Sequence, residues 1–160
     1  MVAALLIDKM LINKRAIKGW CETFFVDSII IANDNIAENE MRSMQLTLEM
    51  PKGIKVAIKG IQFAVELLSD SICDELHTLL IVDKPSDALY MLERVQGISN
   101  VIVGHYEQHS LNGKKRLLDY LWADLEEYED FKKLTTLFPE SKYQISAEQE
   151  SVCLKNLLLL

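Results

Sequence analysis

The chain has 160 residues, of which 49% are hydrophobic and 26% charged, and its formal net charge is −7. A chain of this size buries about two thirds of its unfolded surface, so one domain needs no metal or disulfide to hold it together. The acidic balance argues against a dedicated nucleic-acid-binding protein, whose phosphate contacts require a basic face. Residues 1–7 lack a basic start and are followed by Asp8, so we expect neither a signal peptide nor direct membrane insertion.

Short β-branched runs alternate with stretches of helical period along the chain. The first two thirds predict five strands, at Val2–Ile7, Ser28–Ala32, 54–58, Thr78–Val82 and 100–103. Alternating lysines at 55 and 59 place the third of these strands near an edge of the sheet or half exposed.

Helices are predicted between the strands. One covers about residues 14–25, and another starts at a cap supplied by Asn33 or Asp34 and ends at Pro51. Apolar residues follow at helical spacing along this second helix: Ile36, Met41, Met44 and Leu48. Further along come helical stretches at 61–68, after Ser86 and after Asp124, a polar segment at 105–116, a strand at 143–145 and a C-terminal helix.

At least five alternations of strand and helix with short connections predict one α/β domain over residues 1–160. Its expected architecture is a mostly parallel central sheet, doubly wound, with helices on both faces. Ligands of such sheets bind in the crevice at the carboxyl ends of the strands. The residues to inspect are therefore those that follow each strand, at 8–15, 33–34, 83–86 and 104–109.

The sequence lacks the usual spacings of metal, nucleotide and nucleophile sites. The three histidines and three cysteines do not form a metal-ligand pattern, and the six glycines are scattered. His105 and His109 are four residues apart, but in a polar, glycine-flanked segment typical of a loop. An odd number of widely spaced cysteines indicates reduced thiols inside a cell. We therefore expect no metal, no cofactor and a cytoplasmic location.

One segment directly after the first strand is unusual. Asp8, Lys9, Asn13, Lys14 and Arg15 bring an acid, an amide and three cations to the expected ligand rim. Cations beside a helix N-terminus can hold a phosphate by charge and by free backbone amides. The alternative interpretation is a solvated loop with ordinary surface lysines.

This segment resembles a motif of the IIB subunits in the mannose/fructose/sorbose class of the bacterial sugar phosphotransferase system (PTS). Residues 6–16 read Leu-Ile-Asp-Lys-Met-Leu-Ile-Asn-Lys-Arg-Ala, where that family has a pattern close to Arg-Ile-Asp-Asp-Arg-Leu-Ile-His-Gly-Gln-Val. Trp20 falls at the family's tryptophan position. Further similar segments follow in the family's order, at 30–34, 51–53, 79–87, 102–105, 124 and 131–134.

The resemblance implies both a fold and a role. A IIB domain takes a phosphoryl group from a phosphohistidine of IIA onto its own histidine and passes it to a sugar moved by the membrane IIC and IID subunits. Imidazole suits this step because a neutral ring nitrogen is nucleophilic. The expected partners are therefore IIA and IIC/IID, with the sugar as an indirect substrate and no nucleic acid. A homo-oligomer is left open.

The chain departs from the family where the chemistry lies. Asn13 stands at the histidine position, and a carboxamide nitrogen is not a useful phosphoryl acceptor. The family's two arginines are Leu6 and Met10 here, and its Gly-Gln pair is Lys14-Arg15. Whether the chain is an enzyme therefore stays open, with Asp8 retained as a remnant of the loop's turn or as an orienting group.

Three interpretations follow. The first is a IIB-like protein impaired in transfer that acts by binding or regulation, with six phosphate- or partner-binding candidates: Lys9, Lys14, Arg15, Asp34, Gly104 and His105. The second is an active phosphocarrier that uses a relocated histidine such as His105. The third is an unrelated α/β domain that binds a small molecule.

Overall fold

The fold is organised by a seven-stranded sheet, seen in a computed structural model that describes residues 1–9, 14–106, 115–118 and 121–158, without the side chains of Ile72 and 115–118. In chain order its strands are β1 (Val2–Ile7), β2 (Ser28–Ala32), β3 (Lys55–Lys59), β4 (Thr78–Val82), β5 (Val101–Val103), β8 (Lys142–Tyr143) and β9 (Val152–Cys153). Their order across the sheet is β3-β2-β4-β1-β5-β8-β9, and every pair is parallel except β8–β9. The predicted mostly parallel sheet is confirmed, with β3 at its edge.

Seven α-helices surround this sheet in the described part of the chain. They are α1 (Lys14–Thr23), α2 (Asp34–Glu38), α3 (Glu40–Glu49), α4 (Ile61–Leu68), α5 (Pro85–Arg94), α6 (Leu125–Leu137) and α7 (Leu154–Leu158), with a 3-10 turn at Ser71–Glu75. A separate hairpin joins β6 (Lys115–Leu118) to β7 (Leu121–Ala123). None of the described helices is long and apolar enough to cross a membrane.

The two faces of the sheet bury two separate cores. β1, β2, β4 and β5 are buried along their whole length, because their apolar residues point alternately to the two faces. One face packs against α4, α5, α6 and α7. The other packs against α1, which contributes Ala16, Ile17 and Trp20, and against Leu46 of α3. Helices therefore cover both faces, as predicted.

The single helix predicted from Asn33 to Pro51 is wrong, because the chain breaks at Asn39. The Asn39 side chain accepts a hydrogen bond from the Arg42 N–H at 3.0 Å and so caps α3, while its own N–H closes α2 on Ile36. The cap competes with helix continuation, as expected for an asparagine.

The apolar residues predicted at helical spacing do not mark the buried side of α3. Met41, Met44 and Leu48 are 82%, 63% and 79% exposed, whereas Leu46 is fully buried. Periodicity alone identifies a stripe but does not show what covers it.

Other boundaries also differ from the prediction. The first helix ends at Thr23, the last parallel strand is only Lys142–Tyr143, and part of the polar segment 105–116 forms β6. The hairpin and β9 were not predicted, because strands of two to four residues leave little periodicity to detect. The chain ends in four leucines at 157–160. Leu157 and Leu158 pack internally, while residues 159–160 lie outside the described residues.

Candidate functional site

The carboxyl ends of the neighbouring strands β1 and β5 meet at the rim of the sheet. Beyond the strands, the Gly104 N–H donates to the Ile7 carbonyl at 2.8 Å and the Lys9 N–H donates to the His105 carbonyl at 2.7 Å. The Asp8 N–H donates to the carbonyl at the end of β4, on Val82, at 2.9 Å. These bonds extend the ladder by two residues, so the residues after both strands are held by backbone and not by side chains alone.

The ladder brings Asp8 and His105 together. Asp8 is only 4% exposed, and its Oδ2 lies 3.9 Å from Nδ1 of His105. Gly104 makes this approach possible, because a Cβ at that position would lie 3.0 Å from Asp8 Oδ2. Asp8, Gly104 and His105, three of the candidate residues, therefore form one unit. A carboxylate beside an imidazole selects its tautomer and stabilises its cation.

His105 lines a pocket of about 350 Å³ that Arg15 also lines. The remaining lining residues come from α1 and from the segment after β8: Ala16, Gly19, Ile145, Ser146, Ala147, Glu148 and Gln149. Buried Gln144 shapes that segment, since its side-chain amide donates to the carbonyls of Ala147 and Gln149. Sequence reasoning missed residues 145–149, although they follow the last parallel strand and the rule used for the other strands would have found them.

Lys9 contacts α6 instead of this pocket. Its Nζ lies 3.8 Å from Glu127 Oε2 and 4.8 Å from the ring centroid of Tyr106. Tyr106 is fully buried, and burial together with the neighbouring Glu127 carboxylate raises the pKa of its hydroxyl far above the ordinary value. Phe131 packs edge-on against the tyrosine ring. Lys9, predicted as a phosphate or partner contact, thus lies beside a carboxylate of α6 and lines a second pocket with Ser86 and Glu126.

Asp34 is exposed but also makes a contact within the chain. Its Oδ1 accepts a hydrogen bond from the Ile61 N–H at 2.8 Å, at the start of α4, where the N-cap residue Gly60 has no side chain to cap the helix. A Cβ on Gly60 would lie 2.8 Å from the same oxygen. Asp34 therefore caps α4 and is not brought to the Asp8–His105 pair. Asn33, not Asp34, caps α2.

The two cations at the start of α1, Lys14 and Arg15, are exposed. Asn13 and the neighbouring Met10 lie outside the described residues, as does His109. Among the described residues no group of three or more His, Cys, Asp or Glu side chains could hold a metal ion. Burial raises the pKa of the Cys21 thiol to about 11, so it stays protonated at neutral pH and is a poor nucleophile.

The carboxyl of Asp87, in the first turn of α5, has a raised pKa. Partial burial raises the pKa of its carboxyl from 3.8 to about 6; Lys84 opposes the rise, and the carboxylates of Asp83 and Asp34 add to it. The folded chain thus binds this proton more tightly than the unfolded chain. The associated stability is fully present below pH 3.8 and is lost as the pH rises through about 6.

The variant Asp87→Asn is expected to remove that loss. The free energy of unfolding of the variant minus that of the wild type should therefore be about 1 kcal/mol larger at pH 7 than at pH 4. This value is discounted for solvent screening, because the group is only half buried. Urea unfolding at both pH values measures this. Glu126→Gln, an exposed first-turn residue of α6, is the matched control, and an identical pH difference in both variants would contradict the prediction.

Comparisons with known proteins agree on one family. The model of the sorbose-subfamily PTS IIB component matches residues 2–158. The chain is 25% identical over 146 residues to the sorbose-specific EIIB component of Klebsiella pneumoniae, covering 91% of this chain and 88% of the relative. It is 23% identical over 140 residues to a probable phosphotransferase enzyme IIB component of Streptococcus pyogenes, covering 86% of each.

Solved structures share the fold. The IIBSor domain of the sorbose permease from Klebsiella pneumoniae superposes with a TM-score of 0.91 at 23% identity, covering 99% of this chain and 96% of that domain. The manxB protein from Thermoanaerobacter tengcongensis superposes with a TM-score of 0.86 at 19% identity, covering 99% and 95%. The whole described fold, including the rim that carries Asp8 and His105, is therefore of this type.

Proposed function

Because the chain belongs to the sorbose subfamily of PTS IIB components, we propose that it acts at the IIB step of a sugar phosphotransferase system. IIB components of this system work with a IIA partner and with membrane IIC and IID components, and the proposal is that this chain docks with such partners at the cytoplasmic side. Family membership rules out the third interpretation, an unrelated α/β domain.

One observation carries the proposal: the family fold is retained along the chain, while position 13, where the family's histidine is expected, holds asparagine. A carboxamide nitrogen has its lone pair delocalised into the carbonyl, so it does not attack phosphorus as imidazole does. We therefore propose that residue 13 takes no phosphoryl group and that the chain retains the binding of its partners.

The described surface supports binding of a phosphorylated partner. Lys14 and Arg15 are exposed in the first turn of α1, and Arg15 also lines the His105 pocket. A guanidinium can hold phosphoryl oxygens through two parallel hydrogen bonds. The proposal is that Arg15 meets the phosphohistidine of a IIA protein.

The test compares binding of phosphorylated and unphosphorylated IIA of a sorbose-type system by calorimetry. The phosphorylated form is expected to bind more tightly, and Arg15→Gln should remove about tenfold of its affinity while leaving the unphosphorylated form nearly unchanged. Arg94→Gln, which changes an exposed arginine at the end of α5, is the matched control. No binding of either form, under conditions where the Klebsiella sorbose EIIB component binds, would overturn the proposal.

A further inference from the structure

We propose that His105 accepts a phosphoryl group in this protein, with Asp8 holding its ring and Arg15 receiving the phosphoryl oxygens. This deepens the proposed function and rests on it, since phosphorylated IIA would be the natural donor. The proposed acceptor is a different residue from the one at the family's histidine position: in sequence His105 follows β5, whereas residue 13 follows β1.

The orientation of the ring assigns the reactive atom. Nδ1 of His105 has no exposed surface and lies 3.9 Å from the buried Asp8 carboxylate, while the side chain as a whole is 18% exposed and lines the pocket. A carboxylate beside Nδ1 favours the tautomer that is protonated there. The lone pair is then on Nε2, and we infer that this nitrogen attacks the donor.

Backbone hydrogen bonds hold Asp8 and His105 in fixed positions. Gly104 and His105 continue the β5 ladder onto Ile7 and Lys9, and the missing Cβ of Gly104 leaves room for the Asp8 carboxylate. A histidine held at a strand end loses less freedom on reaction than one on a free loop, and such positioning is a large part of catalysis.

The pocket suits a phosphoryl group. Its volume of about 350 Å³ exceeds that of a phosphate, and Arg15 on one wall supplies positive charge. Glu148 lies on the same lining and is exposed, so its carboxylate opposes an anionic ligand. Removing that charge should therefore speed the reaction that removing Arg15 slows.

The step is balanced without a further reactant. The lone pair of His105 Nε2 forms a P–N bond as the P–N bond of the donor phosphohistidine breaks and leaves its electron pair on the donor nitrogen. The donor ring, protonated on its other nitrogen, leaves as neutral imidazole. The phosphorylated His105 ring becomes the cation that faces Asp8.

A chemical donor tests the site without any partner. Phosphoramidate transfers its phosphoryl group to histidine and releases ammonia, and peptide mass spectrometry can follow each histidine of the full chain separately. His105 is expected to react at least about tenfold faster than His77, the partly buried histidine just before β4, and to carry the group on Nε2. His105→Gln should abolish the fast phase, and His77→Gln should leave it intact.

Surface variants keep the test independent of folding. Arg15→Gln should slow phosphorylation of His105 and Glu148→Gln should speed it, each by a few-fold, and both residues are exposed. Asp8→Asn, checked for folding by circular dichroism, should slow the reaction and lower the pH at which its rate is half-maximal, because the carboxylate that stabilises the imidazolium is gone. A structural role of Asp8 alone would not move that pH.

Any of three results would overturn the inference. They are equal rates of phosphorylation at His105 and His77, faster phosphorylation of His109, and attachment of the phosphoryl group to Nδ1 of His105 in the wild type. If these occur while phosphorylated IIA still binds, the His105 site fails and the docking role stands. If His105 reacts fast with phosphoramidate but IIA does not bind, the docking role fails and the site stands.

Discussion

Replacing Phe131 with alanine is expected to lower the free energy of unfolding by about 3 to 5 kcal/mol. The ring is fully buried in α6 and packs edge-on against Tyr106 with 5.2 Å between ring centroids. Its loss removes buried apolar surface and leaves a cavity next to the buried Tyr106 ring. The cavity also lies under the residue that follows His105, so the candidate site should loosen with the core.

Urea unfolding with a linear extrapolation measures this loss. Leu125→Ala is the matched control because Leu125 begins the same helix and is 77% exposed; it should change stability by no more than about 0.5 kcal/mol. Comparable losses in the two variants would mean that α6 does not pack on Tyr106 as described.

The centre of the fold could be predicted because its strands are buried on both faces. β2 and β4 read as continuous apolar runs, Ser28–Ala32 and Thr78–Val82, and no helix of ordinary length fits between their flanking polar residues. Their predicted bounds match the structure residue for residue. The two-residue strand β9 was not predicted, because two residues leave no periodicity to detect, and the strand predicted at 143–145 is only Lys142–Tyr143.

Part of the candidate site followed from topology. Asp8 and Gly104–His105 come after strands that became neighbours, and residues after neighbouring parallel strands meet at one edge. The direction of each side chain did not follow from topology. Lys9 pairs with Glu127, over a hundred residues away, and Asp34 caps a helix that starts at Ile61. Such partners are fixed only when the layers pack.

The same argument explains why a motif can change without loss of the fold. The Leu6 side chain, at the position of a family arginine, is buried among apolar residues of the α1 face, and Lys9 lies beside a carboxylate of α6. Both residues fit the packing around them, so side chains unlike those of the family motif are accommodated without a change of fold.

Ending the chain after Ser151 is expected to leave it largely unfolded. The cut removes β9 and α7, with three buried leucines, Leu154, Leu157 and Leu158, that fill the α6 side of the core. Burial of each contributes about 1.5 to 3 kcal/mol, and the sum approaches the whole stability of a typical domain. The cut also removes the carbonyl of Leu158 that accepts the hydrogen bond of the Tyr128 hydroxyl.

The effect should reach the candidate site as well as the core. β9 pairs with β8, and residues 145–149, in the segment between them, line the pocket together with residues of α1. Without β9 this segment is held to the sheet only at its β8 end. Thermal unfolding followed by circular dichroism measures the loss, and Lys155→Ala, an exposed change in the same helix, should leave the midpoint nearly unchanged. A truncated chain that unfolds cooperatively at the midpoint of the full chain would show that these leucines are not part of the core.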